Sequence, residues 1–270
     1  MLGSRQLWTV LALAAATACA RVPPDAMLPR SGTSLYDVVV AAASGERTVT
    51  SVYLLEVVPG AERVWTIRTV HTEGTWEEKG GAFAFDSGDP RPEDPWPLLL
   101  QHAVASVPAV VQFTDDGVPV GLEEEEGWRM ASLKAMQALD LPSQAMASGE
   151  ALLDPRGLVR DLQRNFPGMP PEGVWVRDES IAGLPSQRIE SCEATTEGRR
   201  AVWRCEGEVE GPKVGPARLH LMVSSSVVVM DKHGLVSLEG TYSGTLVMLD
   251  ESGTDLVDRP VAGRRLVVRR

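Results

Sequence analysis

The sequence has few of the residues from which chemical sites are usually built. It contains 3 cysteines and 4 histidines in 270 residues, and the histidines are scattered along the chain at His71, His102, His220 and His233. No two of them form the helix-spaced pair of a zinc motif, and the chain lacks a Gly-x-Ser-x-Gly elbow, a phosphate-binding glycine loop and a dinucleotide fingerprint. The sequence therefore predicts no catalytic residue, no cofactor and no metal site, and we expect the chain not to be an enzyme.

Basic charge and long apolar runs are also scarce. The chain has 26 Lys and Arg against 37 Asp and Glu, which gives a net charge of -11. Such an acidic body repels phosphate backbones and anionic headgroups, which argues against nucleic-acid binding and against electrostatic docking on a membrane. Arginine pairs flank an apolar triplet at 264–270, and we interpret this segment as a basic-flanked last strand rather than an anionic docking point.

The beginning of the chain has the pattern of an export signal. A single positive residue, Arg5, precedes an apolar run from Leu7 to Ala18. That run has the length of a secretory signal and is shorter than the ~20 apolar residues that a membrane-spanning helix needs. The small residues Ala16 to Ala18 then precede Cys19. They fit ordinary signal cleavage, which releases a soluble protein, and equally a cysteine that receives a lipid.

The other two cysteines are placed to pair across a β-hairpin. Residues 188–197 and 200–208 are strand-like and flank Gly198 and Arg199, which suit a two-residue type II′ turn. With that turn the opposed pairs are Cys192 with Cys205, Glu193 with Arg204, Ala194 with Trp203 and Glu197 with Arg200. Neither cysteine has a second cysteine or a histidine at ligand spacing, so we predict a structural disulfide rather than a redox or metal site.

This pairing leaves Cys19 as the odd cysteine, which favours its modification. Here the sequence resembles the lipobox of bacterial lipoproteins, with Ala16 in place of the usual Leu. The resemblance implies that Cys19 is acylated, becomes the first residue of the mature chain and makes the membrane a partner. The residue after Cys19 is Ala20 rather than Asp. By the same resemblance, this implies an anchor in the outer membrane, with the protein facing the periplasm or the cell surface.

Strand patterns come first along the chain, helix patterns follow, and strand patterns return. Segments 35–41, 48–58, 63–72, 82–85, 109–113 and 118–122 are strand-like, and a short helix is predicted over 97–104. Apolar residues at helical spacing follow Trp128, and Asp154 and Pro155 begin a well-signalled helix. We expect an α+β fold, mainly antiparallel β-sheet in two halves (curved sheets or half-barrels) with two or three helices between them.

This order divides the chain into five segments. They are a signal peptide (1–18), a lipidated cysteine and flexible tether (19–34), an N-terminal β-rich half (35–122), a helical connector (123–171) and a C-terminal β-rich half (172–270) with the disulfide hairpin. Residues 110–118 can be laid over residues 227–235, since both are an apolar strand, a polar turn closed by glycine and the start of a second strand. The halves are therefore either a duplication or two hairpins that match by chance.

Several acidic and aromatic residues allow two interpretations each. The run from Glu123 to Glu126 can mimic a metal or Ca²⁺ site, but contiguous residues cannot all face one ion, and acids are favoured at a helix start. Two acidic pairs, Asp115 with Asp116 and Asp250 with Glu251, can mimic glycosidase carboxylates, but they also suit turns. The tryptophans can line a ligand cleft, although most tryptophans in strands and helices belong to the core.

The lipobox, the proline-bearing tether, the two β-rich halves and the central helices together resemble uncharacterised envelope lipoproteins of the myxobacterial type. The resemblance implies a lipid-anchored location in the cell envelope and no known activity. We expect a non-catalytic binding or structural module whose partner is a protein or a hydrophobic ligand. The alternatives are a carrier of a lipid or acyl ligand, similar to lipoprotein-sorting proteins, and an envelope hydrolase, which would need His, Asp and Ser close together in a cleft.

Overall fold

The computed structural model describes residues 32–44, 47–61, 63–78, 81–91, 94–115, 117–181, 184–211, 217–230, 234–249 and 255–270. Cys19, the predicted signal peptide and the predicted tether up to residue 31 lie outside these residues. So do His233, Asp116, Asp250 and Glu251. The predictions for all of them stay predictions.

Strands make up most of the described chain. They are β1 (Ser34–Ser44), β2 (Arg47–Pro59), β3 (Val64–Glu78), β4 (Gly81–Asp86), β5 (Ala109–Phe113), β6 (Pro119–Leu122), β7 (Gly173–Ile181), β8 (Leu184–Glu197), β9 (Arg200–Glu210), β10 (Ala217–Met230), β11 (Gly234–Leu249) and β12 (Asp255–Arg269). Several of these strands extend beyond the β-branched segments from which they were predicted. The alanine-rich end of β1, for example, continues as a strand because it pairs with β2 on one side and β12 on the other.

These strands form a single antiparallel sheet. The order is β6-β5-β3-β2-β1-β12-β11-β10-β9-β8-β7, and β4 pairs with β3 beside this path. Because β1 pairs with both β2 and β12, the strands before the helices and those after them join in the middle of the sheet. The two predicted β-rich halves thus follow one another along the chain, but in space they share one sheet. The sheet is open, since its end strands β6 and β7 do not pair in the described residues.

Four α-helices occur in the described residues, where the sequence analysis expected two or three. They are α1 (Trp96–Ala105), α2 (Glu125–Gln137), α3 (Ser143–Gly149) and α4 (Pro155–Asn165), with a 3₁₀ turn at Glu150–Leu153. The predicted start of α4 is confirmed, because the Asp154 carboxylate accepts a hydrogen bond from the Arg156 N–H at 3.0 Å. α3 was missed because it has 7 residues and no side-chain cap, which is too short for a clear helical period. None of the helices in the described part has the length and hydropathy to cross a membrane.

The helices cover one face of the sheet, which we call the helix-side face; the other is the outer face. Tyr36, Val57, Val111 and Val267 lie on the helix-side face and are fully buried. They share one apolar cluster with residues of all the longer helices, including Leu100, Trp128, Met136, Leu162 and the Phe166 that follows α4. Trp128 and Trp203 are both buried in this cluster, which agrees with the core interpretation of those two tryptophans.

Candidate functional site

The predicted disulfide between Cys192 and Cys205 is present. β8 and β9 pair in the predicted register, with Cys192 opposite Cys205 and Glu193 opposite Arg204. Gly198 provides the positive φ of 66° that the tight turn needs. One detail differs from the prediction: the Arg204 guanidinium lies 3.3 Å from the Glu197 carboxylate, farther along the strand, although Glu193 is the residue directly across.

The disulfide also supports the last strand of the sheet. The indole N–H of Trp175, in β7, donates a hydrogen bond to Cys192 Sγ at 3.2 Å. Trp175 therefore lies on the helix-side face, and its neighbours Val174 and Val176 must point to the outer face. β7 is held at one side by nine paired residues of β8.

The other side of β7 is an uncovered edge. No described strand pairs with it, and its nine residues contain no proline, although Arg177, Asp178 and Glu179 place charge in its second half. Val174 is 74% exposed and Val176 is 57% exposed. Edge strands of stable proteins are usually short, charged, interrupted by proline or covered, because their free N–H and C=O groups can pair with another chain.

The opposite edge of the sheet is protected in several of these ways. β6 has only 4 residues and begins with Pro119, which has no N–H to offer. α4 also covers this strand, since the Gln163 side chain donates a hydrogen bond to the Pro119 carbonyl at 2.8 Å. The two ends of the strand path therefore differ, because β6 is protected and β7 is not covered. The side strand β4, with 6 residues, also pairs on one side only, with β3.

Acidic side chains occupy the outer face beside this open edge. Glu206, Glu208 and Glu210 alternate along β9 and so point to the outer face, and Asp178 does the same in β7. The Asp178 carboxylate accepts a weak hydrogen bond from Gln187 at 3.4 Å. This region has an apolar strip along the edge and negative charge behind it.

A serine, a histidine and carboxylates meet where β4 ends beside the middle of β3, and the sequence did not predict this cluster. His71 Nε2 lies 2.9 Å from Glu73 Oε1 and 3.5 Å from Asp86 Oδ1. His71 Nδ1 lies 3.2 Å from Ser87 Oγ. If Nε2–H donates to the carboxylate, Nδ1 is free to accept from the Ser87 hydroxyl, which is a Ser-His-acid grouping with the two ring nitrogens exchanged relative to the usual triad. This is the grouping that the hydrolase alternative required.

The surroundings of Ser87 do not support acyl-transfer chemistry. An oxyanion hole needs free N–H groups near the nucleophile. The Ser87 N–H donates to the Thr72 carbonyl at 2.9 Å, the Gly88 N–H to Asp86 Oδ1 at 2.7 Å and the Asp89 N–H to the Asp86 carbonyl at 3.1 Å. Ser87 Oγ also accepts the Thr72 N–H at 2.9 Å. These bonds indicate a structural role for the cluster, which holds the turn after β4 against β3.

His102, in α1, lies next to this cluster. Its Nδ1 is 2.9 Å from the Thr72 hydroxyl, and its ring faces Phe85. Burial lowers the pKa of the His102 imidazole, and the nearby charge of His71 lowers that pKa further. His102 therefore favours the neutral form and fits a role in packing α1 against the sheet.

A small cavity lies between helices and sheet in the described part of the chain. Its volume is about 40 Å³, and it is bordered by Leu55, Ile67, Val104, Leu158 and Leu162. Pockets for small organic ligands usually measure roughly 300–1,000 Å³. This cavity is too small for an acyl chain unless the helices move.

The acidic and arginine-rich segments singled out in the sequence have structural partners. Glu124 has a positive φ of 52° directly before α2, and Glu126 pairs with Arg129 inside that helix. Asp115 forms an ion pair with Arg63. These contacts agree with a solvated helix start and a turn.

The arginines at the end of the chain also have partners. Arg264 pairs with Glu239 at 2.9 Å and Arg270 with Asp37 at 2.7 Å, as expected for a basic-flanked last strand.

One group of described side chains can hold a metal ion. Glu208 and Glu210 lie close to His220 on β10, and their donor atoms are all within 4.8 Å of one another. The sequence predicted no metal site and showed no histidine partner for His220 at ligand spacing. The proximity of His220 to the glutamates depends on the β9–β10 register, which the proline-containing connection at 211–216 does not reveal.

Comparison with known proteins gives a likeness in fold alone. No family model matches the sequence, and no curated protein matches it. A solved structure described as "Lipid-protein interactions in lipovitellin" aligns with a TM-score of 0.51 and 8% sequence identity, over 90% of this chain. The alignment spans a quarter (25%) of the lipovitellin chain. A second structure, OmpT from Vibrio cholerae, an outer membrane protein, aligns over 88% of this chain at 6% identity with a TM-score of 0.15, too low to indicate a shared fold. The chain thus shares a sheet architecture with part of lipovitellin.

Proposed function

We propose that the chain is a non-catalytic binding module of the cell envelope that takes up an extended segment of a partner protein along the free edge of β7. The contrast between the two sheet edges is the observation that carries this proposal. An uncovered edge strand of nine residues with two exposed valines is a template for strand addition, in which main-chain hydrogen bonds supply affinity. The engaged N–H groups around Ser87 argue against the hydrolase alternative.

The side chains around the edge define the partner's chemistry. An added strand would place every second residue beside Val174 and Val176, where β-branched side chains pack well. Its outer face would also lie beside the Asp178 carboxylate of β7, which attracts positive charge. The partner segment is therefore expected to alternate or mix β-branched and basic residues, and to lack proline.

A labelled peptide tests this function. The probe is a capped nine-residue peptide in which both valine and lysine occupy the alternate positions of one face, with threonine between them, so that both residue types meet Val174, Val176 and Asp178. Its binding to the full exported chain is measured by fluorescence anisotropy. We expect saturable binding together with slower amide hydrogen exchange in β7. The double variant Val174→Lys/Val176→Lys should weaken binding about tenfold, because it removes two apolar cross-strand contacts and adds like charge.

Two controls separate strand addition from general attraction to an acidic protein. Val120→Lys places the same change on the protected β6 edge and should leave the affinity unaltered. A peptide with every second amide N-methylated keeps its charge but cannot complete the ladder, so it should not bind. If the N-methylated peptide binds as tightly as the unmodified one, or if the double variant binds as tightly as the unaltered chain, the proposal is contradicted. A dimer of the chain that the double variant dissociates would assign the edge to a second copy instead.

We further propose that a lipid on Cys19 tethers the module to the membrane. The support is the lipobox-like sequence together with the observed disulfide, which accounts for the other two cysteines. Cys19→Ser should move the exported protein from the membrane fraction to the soluble fraction, because no acyl chain would remain to insert. Unchanged fractionation would show that the lipid assignment is wrong.

A second candidate function is the carriage of a hydrophobic ligand. The fold likeness to a protein described by its interactions with lipid favours it, whereas the small cavity argues against it. Displacement of α1 and α4 would be needed to open room for an acyl chain. Organic extraction of the purified protein, followed by mass spectrometry, should recover no bound lipid beyond the anchor. A stoichiometric non-covalent lipid would make this candidate the better one.

A further inference from the structure

Two strands in the sheet interior bring three metal-binding side chains together on the outer face. Glu208 and Glu210 are two residues apart on β9, so both point outward, and His220 lies directly opposite Glu210 on β10. One donor atom from each side chain lies within 4.8 Å of the other two. β9 and β10 are paired on both sides, by β8 and β11, so the backbone positions of these residues are held by four hydrogen-bonded strands.

The donor set suits a borderline divalent cation. Imidazole nitrogen and carboxylate oxygen both bind Zn²⁺ at about 2.0–2.2 Å, and three protein ligands leave a position for water or a further donor. Donors around one such ion lie roughly 3–4 Å apart, so side-chain torsions from the observed arrangement are enough to close the site. Hard cations such as Mg²⁺ prefer oxygen-only sites and are less well matched to the imidazole.

The electrostatics of the group also favour a cation. Glu208 and Glu210 place two negative charges side by side, and Glu206 adds a third on the same face. No Lys or Arg of the described residues forms an ion pair with Glu208 or Glu210, in contrast to the glutamates that pair with arginines elsewhere on the sheet. A bound divalent ion would offset this repulsion.

We infer that Glu208, Glu210 and His220 form a binding site for a single divalent cation of the Zn²⁺ class, with at least one coordination position open to solvent. The site is separate from the β7 edge, since β8 lies between β9 and β7. It does not depend on the proposed peptide binding.

Isothermal titration calorimetry tests the site directly. The full exported chain, free of affinity tags and treated with a chelator, is titrated with ZnCl₂ and separately with MgCl₂. We expect one saturable Zn²⁺ site per chain and at least tenfold weaker Mg²⁺ binding. His220→Gln and Glu208→Gln should each weaken Zn²⁺ binding at least tenfold, because each removes one of three ligands.

Matched variants distinguish this site from other surface groups. Glu206→Gln removes the same charge on the same strand without removing a ligand, and His71→Gln removes the histidine of the other carboxylate cluster. Both should bind Zn²⁺ nearly as the unaltered chain does, and circular dichroism should show the same fold for all variants. Absence of a saturable site, unchanged affinity in His220→Gln, or loss of binding in His71→Gln would overturn the inference.

Discussion

At the scale of single residues, His102 gives the fold a predictable dependence on pH. Because burial lowers the pKa of this imidazole in the folded chain below its ordinary value of 6.5, the unfolded chain takes up the proton more readily. The stabilisation from the neutral ring is therefore present above pH ~6.5 and is lost as the pH falls through the folded pKa. We expect the free energy of unfolding, measured in urea, to decrease from pH 7.5 to pH 5.

In the variant His102→Gln the free energy of unfolding should decrease less between pH 7.5 and pH 5, since glutamine does not titrate. An identical pH dependence for His102→Gln and the unaltered chain would contradict the assignment. The comparison of pH slopes is insensitive to the constant cost of losing the contact with Thr72.

At the scale of elements, the β8–β9 hairpin depends on its disulfide. The bridge closes a loop with a sequence separation of 13 residues, and in the loop-entropy model such a bridge contributes about 3 kcal/mol. The double variant Cys192→Ser/Cys205→Ser should lower the free energy of unfolding by about that amount, measured by urea denaturation. β7 should also exchange its amides faster, since Trp175 loses its sulfur acceptor.

A reductant supplies the control for the hairpin. Dithiothreitol should shift the urea midpoint of the unaltered chain toward that of the double variant and leave the double variant where it is. If the midpoints of reduced and oxidised protein coincide, the bridge does not stabilise the fold.

Elements also differ in how well their sequences predicted them. α4 was foreseen because Asp154 and Pro155 mark its start and apolar residues recur at helical spacing, all within one short segment. The β8–β9 hairpin was foreseen because a two-residue turn dictates every pair after it. α3 carries no such local signal. The lengths of β1 and β11 likewise depend on neighbouring strands that the local sequence does not specify.

At the scale of the whole molecule, Phe166 joins the helix layer to distant strands. It directly follows α4 and is fully buried, and its ring makes edge-on contacts with Tyr36 of β1 and Phe113 of β5, at 5.5 and 6.5 Å between centroids. Truncation to alanine leaves a cavity among parts that come from three regions of the chain. Phe166→Ala should therefore lower the free energy of unfolding by about 3–5 kcal/mol.

Phe83→Ala removes the same ring from a position in β4 that is 54% exposed, and should cost less than about 1 kcal/mol. Equal costs for the two variants in chemical denaturation would show that Phe166 does not hold the layers together. Because the helices and both groups of strands share this core, we also expect fluorescence and circular dichroism to report one coincident transition.

The sequence by itself determined the features that depend on near neighbours: the strand-helix-strand order, the α4 cap, and the register of the Cys192–Cys205 hairpin. Only the tertiary structure decided that β1 and β12 meet, where Arg270 reaches Asp37 across 233 residues, and that His71 approaches Ser87 and His220 approaches Glu208. These pairings arise from burial of one common face of the sheet, which couples all strands at once and leaves no local trace in the sequence.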